Sequence, residues 1–474
     1  METSGETLDP QDWHEFRRQS HRMLDDMLDY TEKLRDRPVW QPIPQEVRDV
    51  FRKAMPEKSG DMAEIHALFM RNVLPYAIGN THPGFMGWVH GGGTPVGMMA
   101  EMLAAGLNAN LGGRDQIPVE VERQLLRWVR ELFAFPDTAS GLFVTGTSMA
   151  NFISVLVART AALGETVRET GLPEGHGLVA YASASAHVSI SQALDMSGLG
   201  AAALRKVALD ERFRMDVKAL EAAISQDKAA GLRPFMIAAT AGSVDVGAID
   251  PLDEIAELAK RHDLWLHVDG AYGALGMLAE EIAPLLKGMD RADSIAFDFH
   301  KWGQVPYDAG FVLVKNGELH RRTFASPAAY LQRESRGMAA GSPWPCDFGP
   351  DLSRSFRALK TWFTLEVYGT EKLGRAISNT CALARYLRQR IEAAPMLELM
   401  APVALNIVCF RHLGDDKINA DIVAALQESG IAAPSTTRIN GRLAIRAAIV
   451  NHRTERRDVD ALVDAVIGLG EKTR

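Results

Sequence analysis

Three cysteines in 474 residues, Cys346, Cys381 and Cys409, lie far apart and form no CxxC pair. That excludes a disulfide framework and fits a reducing, cytoplasmic setting. No run of about 18 apolar residues occurs, so no membrane span is expected. The first residues, Met1-Glu2-Thr3-Ser4-Gly5-Glu6, are acidic and polar, unlike a secretory leader. The formal net charge is −8 and no long basic run is present, which argues against nucleic acid as a partner. No HExxH or comparable ligand spacing is found, so no metal centre is expected. Gly141 to Ser148 spells neither GxGxxG nor a Walker loop, which disfavours a nucleotide fold. There is no internal repeat and no low-complexity segment. What remains, at 47% hydrophobic and 24% charged residues, has the balance of a globular enzyme with ample chain for a core.

From Asp9 to Asp36 the pattern is helical. Trp13, Phe16, Met23, Leu24, Met27 and Leu28 recur at three- and four-residue steps between charges, and Asp9-Pro10 reads as N-cap and first turn. Such an arm packs on a partner subunit or on its own core. A proline-rich connector, Pro38 to Pro44, follows. From about 80 to 320, strands alternate with helices, which predicts an α/β domain with a mainly parallel, doubly covered sheet. The candidate strands are Leu142–Thr145, Gly177–Ala182, Phe235–Thr240, Leu264–Asp269, Ser294–Phe297 and Gly310–Val314. After about Trp362 the pattern describes a smaller α+β domain. The expected division is therefore 1–80, a helical arm; 81–361, a large domain; and 362–474, a small C-terminal domain.

The chemistry concentrates in two stretches. His267-Val268-Asp269-Gly270-Ala271-Tyr272 ends a predicted strand, and Asp298-Phe299-His300-Lys301-Trp302-Gly303 follows, with 32 residues separating Asp269 from Lys301. A strand-borne Asp and a downstream loop Lys are what a pyridoxal-phosphate (PLP) site needs. The amine condenses with the cofactor aldehyde as a Schiff base, and the carboxylate keeps the pyridine nitrogen protonated so that the ring accepts electrons. Either residue alone would read as a loop charge or a cap. Gly146-Thr147-Ser148 follows an apolar strand and opens a helix, Met149–Ala162, that is apolar almost all round. Free N–H groups and two hydroxyls there can hold a phosphate, although small residues at a helix start are commonly only caps. His187 falls just after a strand, where an imidazole can lie over the cofactor ring; a loop histidine bonded to a carbonyl is the plainer reading. His300 can donate to the phosphate or shape the loop. His267 shares a strand face with Asp269 by alternation. Asp250-Pro251 with Glu254 reads as a helix start. Phe85 and Trp88 can wall a substrate pocket beside Gly91-Gly92-Gly93, whose glycines allow close backbone approach. Phe324 to Asp351, with Tyr330, is long enough to be a mobile lid.

The ordered set His187, Thr240–Ser243, His267-Val268-Asp269-Gly270-Ala271-Tyr272 and His300-Lys301-Trp302 resembles the group II PLP-dependent amino-acid decarboxylases, most of all the aromatic branch. The resemblance implies fold type I of the PLP-dependent enzymes, and a homodimer with sites at the subunit interface. By position it makes Lys301 the Schiff-base lysine, Asp269 the pyridinium partner and His187 the stacking histidine. Thr147, Ser148 and His300 would contact phosphate; Ser243 or Val244 would replace the family's strand-end threonine, with Ser243 as a further cofactor contact. Tyr330 would be the loop tyrosine that protonates the substrate carbon after CO₂ leaves. Arg354 to Trp362 resembles the stretch that follows that loop. Trp88, followed by Val89 and His90, stands where the aromatic branch has its pocket tyrosine, and Asp298-Phe299 replaces Asn-Pro. These departures are expected to touch the substrate pocket, formed by Phe85, Trp88 and His90, more than the cofactor. The implied activity is α-decarboxylation of an aromatic or bulky L-amino acid to its amine. The alternatives are an aldehyde synthase, against which Tyr330 argues; an aminotransferase, which would need a carboxylate clamp such as Arg446, a residue that reads more plainly as structural; and a catalytically silent binding protein on the same fold, against which Lys301, Asp269, His187 and Tyr330 together argue.

Overall fold

The alternation read between residues 140 and 314 takes shape in a computed structural model that describes residues 7–326 and 333–472. Twelve strands occur among these residues. In chain order they are β1 (Phe85–Met86), β2 (Ser140–Val144), β3 (Leu178–Ser183), β4 (Leu204–Val207), β5 (Arg233–Thr240), β6 (Trp265–Asp269), β7 (Ser294–Asp298), β8 (Gly310–Val314), β9 (Leu397–Leu399), β10 (Ile407–His412), β11 (Ala433–Ile439) and β12 (Arg442–Ala448). The large sheet has the order β2-β8-β7-β6-β5-β3-β4. The pairs β3–β4, β3–β5, β5–β6 and β6–β7 are parallel; β8 runs antiparallel to both its neighbours. The expected α/β architecture is observed, with one change: the sheet is parallel except at β8.

Alternation along β6 sets the site. Leu266 and Val268 point into the main core, where each buried side chain contributes roughly 1.5–3 kcal/mol. His267 and Asp269 therefore face the other way, toward the buried helix Thr147–Leu163. The chain order reverses between β3 and β5, and the loops after β3, β5, β6 and β7 meet at this carboxyl edge, the usual place for a ligand in such sheets.

Four strands escape the sequence pattern for physical reasons. β4 is an edge strand carrying Arg205 and Lys206, the charges that keep an edge from pairing further. β1 and β9 are two and three residues long, and β11 is largely Ser, Thr and Arg. β1 pairs in parallel with β11, so the segment that holds Phe85 is stitched into a second sheet of order β1-β11-β12-β10-β9.

Helix starts also differ from expectation. The arm helix runs Trp13–Glu32 and is capped by Asp12, not Asp9; the Asp12 carboxylate accepts from His14 N and Glu15 N at 2.8 and 3.0 Å. Asp250 is not a capping residue for Leu252–His262: its carboxylate accepts from Met215 N and Thr240 N and ties two loops together. On the arm, Trp13, Phe16, Met23 and Leu28 stay exposed. No helix of the described residues is long and apolar enough to cross a membrane.

The segment expected to be a lid is anchored over its described part. Trp344 is buried between the guanidinium groups of Arg333 and Arg114, 3.5 and 4.4 Å from its ring, and donates to Ala340 O. Tyr330 lies outside the described residues.

Candidate active site

A cavity of about 380 Å³ opens at the carboxyl edge of the large sheet. One wall is the turn between β2 and the helix Thr147–Leu163. Gly146 begins that helix without a side-chain cap, the Thr147 hydroxyl is buried with no hydrogen-bond partner among the described residues, and Ser148 is exposed to the cavity. The partnerless Thr147 hydroxyl and the exposed Ser148, at the N-terminus of a 17-residue helix, make an anion cradle.

Lys301 reaches the same wall, its Nζ 2.8 Å from Asp298 Oδ2. Asp298 Oδ1 accepts from Thr147 N at 2.8 Å. His300 Nδ1 accepts from Ala309 N at 2.9 Å, and burial drives its pKa down to about 4, so its ring is neutral with the proton on Nε2, turned to Asp298. The glycine run explains how the lysine loop is held. A Cβ on Gly91 would collide with the carbonyl oxygens of His300 and Lys301, while Gly92 N donates to Gln304 Oε1 at 3.0 Å. Behind the lysine, Trp302 Nε1 donates to Thr380 Oγ1 at 3.0 Å, pinning the loop to the long helix Arg357–Glu392.

The floor is Asp269, 3% exposed at the end of β6. Its carboxylate accepts from Asn151 Nδ2 and Ala271 N at 3.1 and 3.2 Å. Burial pushes its pKa up, opposed by the nearby Lys301 and His187. A buried carboxylate of this kind is in want of a cation. His187 caps the helix Val188–Met196, with Nδ1 accepting from Ser189 N, and stands over the cavity.

The mouth is aromatic. Phe85, Trp88 and His90 form a triangle of near-parallel rings with centroids 5.7, 5.8 and 6.3 Å apart. Tyr307 stands edge-on to His90 and 4.3 Å from the ring of His300. Trp88 adopts a left-handed backbone (φ 45°), held by Arg446, which donates to the Trp88 carbonyl at 3.0 Å.

The sequence profile of the pyridoxal-dependent decarboxylase conserved domain matches residues 44–413. The chain belongs to the pyridoxal-dependent decarboxylase family. It is 32% identical over 471 residues to an aromatic-L-amino-acid decarboxylase of Bacillus atrophaeus, covering 97% of this chain and 96% of that one. It is 27% identical to a phenylacetaldehyde synthase of Arabidopsis thaliana, covering 96% of each. The fold superposes on Oryza sativa TDC, solved with PLP and tryptamine, with a TM-score of 0.89 at 23% identity over 98% of this chain and 100% of that one. The protein is thus a PLP-dependent amino-acid decarboxylase, a lyase.

The residues present in this decarboxylase fit the cofactor. The orphaned Thr147 hydroxyl and uncapped helix suit the phosphate, the lysine amine suits the aldehyde, and the buried carboxylate at the opposite end suits a protonated ring nitrogen. Lys301, Asp269, His187, Thr147, Ser148, His300, Trp88 and His90 all line the one cavity. Phe85 does not; it is 3% exposed and backs the rings of Trp88 and His90. Ser243 is also elsewhere. Its hydroxyl accepts from Ala248 N at 3.0 Å inside a tight turn, and Thr240, Gly242 and Val244 face the cavity instead. Asp298 belongs to the lysine end, not to the substrate pocket where its departure from Asn was expected to act. Arg446 cannot serve as a carboxylate clamp, because its guanidinium is spent on the carbonyls of Trp88, Val244 and Asp245 and on Ser435 Oγ.

Sequence reasoning missed Asn151 and Tyr307. Asn151 had a signal: an amide on a helix apolar almost all round must find a buried partner. Tyr307 had little, being an aromatic in a loop six residues after Lys301.

Proposed function

We propose that this decarboxylase converts an aromatic L-amino acid to its amine and CO₂. The observation that carries the reading is the mouth of the cavity, whose rings present no charge. The charged side chains on the lining are Asp269, Asp298 and Lys301, all at the cofactor end. An acidic substrate would ask for a free cation at the mouth, and a basic one for a carboxylate. A flat neutral ring stacks on Trp88 and His90 and excludes water there. The printed activities of relatives such as the Bacillus decarboxylase point the same way.

Bound PLP supplies a sink for the electron pair left when CO₂ departs. In this reading Lys301 would hold the cofactor covalently through its amine. Asp269 keeps a proton on the ring nitrogen, and His187 covers one ring face. Thr147, Ser148 and His300 hold the phosphate. Tyr330 delivers a proton to the substrate α-carbon. The exposed row Trp13, Phe16, Met23 and Leu28 supports a homodimer in which the arm packs on the partner. Three unpaired cysteines suit a cytoplasmic setting.

The test is a CO₂-release screen over the proteinogenic amino acids, dihydroxyphenylalanine and diaminobutyrate, with products identified by mass spectrometry. Tryptophan, tyrosine, phenylalanine or dihydroxyphenylalanine should lead. Preference for an acidic or basic amino acid overturns the reading, and aldehyde with peroxide in place of amine would make the enzyme an aldehyde synthase.

A further inference from the structure

Behind Asp269 lies a chain of buried polar groups that runs back along one face of β6 to Trp265. Asn151, His267 and Ser294 are each 0% exposed. Asn151 Nδ2 is 3.1 Å from Asp269 Oδ2, and Asn151 Oδ1 is 2.9 Å from His267 Nε2. His267 Nδ1 is 2.9 Å from Ser294 Oγ, which is 2.9 Å from Trp265 Nε1.

With Asp269 ionised, the hydrogens in this chain take one arrangement. A carboxylate only accepts, so the amide turns its NH₂ to Asp269. The amide oxygen then faces His267 and also only accepts, so His267 carries its proton on Nε2. Burial holds this imidazole neutral, with its pKa pushed down to about 3, so Nδ1 is bare and takes the Ser294 hydroxyl proton. The Ser294 oxygen is left to accept from the indole N–H of Trp265, which can only donate. Every donor points toward Asp269. The second amide hydrogen of Asn151 goes to Ser189 Oγ at 2.9 Å, whose own proton goes to His187 Nδ1 at 2.7 Å. One amide thus orients both the floor carboxylate and the histidine over the ring.

We propose that Asn151 is a positioning residue, backed by His267, Ser294 and Trp265 as a one-way relay that keeps Asp269 ionised and aimed at the cofactor ring nitrogen. The groups facing Asp269 are this amide, the Ala271 N–H, the Lys301 amine and the His187 imidazole. Of these, the Asn151 amide and the Ala271 N–H are the direct hydrogen bonds that offset burial of the carboxylate, and only the amide is backed by a further chain of donors. The inference rests on Asp269 being the partner of the ring nitrogen.

The experiment uses the holoenzyme reconstituted with PLP carrying ¹⁵N in the ring, read by the ¹⁵N resonance as a function of pH and by cofactor affinity in equilibrium dialysis. Asn151→Ala should weaken PLP binding about tenfold, the scale of a lost hydrogen bond to a charged group, and move the resonance toward the unprotonated nitrogen. His267→Phe should move both in the same direction, and His267→Gln, which keeps a donor, should largely restore them. The double variant Asn151→Ala/His267→Phe should be no worse than Asn151→Ala alone, because the two lie on one path. If Asn151→Ala fails to fold, Ser294→Ala decides in its place by cutting the relay one step further back. Unchanged resonance and affinity, or strictly additive losses, overturn the relay. Asp269→Asn separates the two readings. If it leaves the resonance untouched, the assignment of Asp269 itself is wrong; if it moves the resonance while the relay variants do not, only the relay is wrong.

Discussion

At its floor the cavity ends on Asp269, buried, with its amide partner bonded in turn to a neutral histidine. At its mouth it ends on Trp88, half exposed at 51%, and on His90, whose imidazole is stacked but makes no hydrogen bond among the described residues. The floor is dry and fully committed, so it can hold one charge state of one cofactor. The mouth offers ring faces and an unspent imidazole, so it can accept or refuse side chains without disturbing the chemistry below. If this contrast is real, floor variants should lose turnover for every substrate, while mouth variants should change which substrate is preferred.

The largest effect is expected at the lysine. Borohydride reduction followed by peptide mapping should place the pyridoxyl label on Lys301, and Lys301→Ala should lose activity on the order of 10³-fold or more. A label on a different lysine breaks the assignment. Next is Asp269→Asn, which should keep the cofactor yet lose on the order of 10²-fold in kcat, equally for all substrates, because a neutral amide cannot hold a cationic ring nitrogen. Near-normal turnover with bound PLP would remove the floor from the comparison.

Tyr330 should alter the product more than the rate. Tyr330→Phe is expected to keep releasing CO₂ but to shift product from amine toward aldehyde, ammonia and peroxide, since the carbon that has lost CO₂ lacks its proton donor and is open to O₂. Amine alone at the parental rate would return Tyr330 to a packing role. At the mouth, His90→Leu should change the ratio of kcat/KM for tyrosine over phenylalanine by about tenfold and leave the better of the two turnover numbers nearly intact. An equal loss for both substrates would mean that His90 serves the cofactor, and the contrast between the two ends would fail there.

How much of this could be read from the sequence follows the same division. Periodicity, and two short motifs whose Asp269 and Lys301 lie 32 positions apart, found the central strands and brought Lys301, Asp269, His187, Thr147 and Ser148 to one cavity, because strand ends in a parallel sheet converge. Strands β1, β4, β9 and β11 were illegible because they are short, charged or polar, and are defined by their partners. Asn151 and Tyr307 were missed because their roles are made by contacts distant in the chain: Asn151 meets a carboxylate 118 positions away. Ser243 was misplaced because its residue type fits both a ligand contact and a turn, and only the turn's hydrogen bond to Ala248 N decides. Chemistry that depends on residue type in order was visible; chemistry that depends on who is behind whom was not.

The smallest predicted effect concerns protons. Burial holds His267 and His320 neutral down to about pH 3, and His300 and His452 down to about pH 4. In the unfolded chain each takes up a proton near its ordinary pKa of about 6.5. Between about 6.5 and the folded value the unfolded state binds more protons, so stability is full above that window and declines as pH falls through it. Asp250 works in the opposite sense. Burial raises its pKa to about 6, so it gains a proton on folding and offsets part of the loss between about 6 and 4. Asp269 and Asp293 are raised in the same sense as Asp250, and His82, His90 and His262 are lowered like the four histidines above, so seven histidines against three carboxyls leave a net fall on acidification. Urea midpoints of the cofactor-free enzyme should therefore drop from pH 7 to pH 5. His320→Phe, whose ring bonds Ser140 Oγ and lies away from the cavity, should flatten that slope by at most about 1.4 kcal/mol per pH unit. His267→Gln at the floor should flatten it more than His90→Leu at the half-buried mouth. If the two flatten it equally, the floor is no drier than the mouth, and the distinction between a committed end and an adaptable one has to be given up.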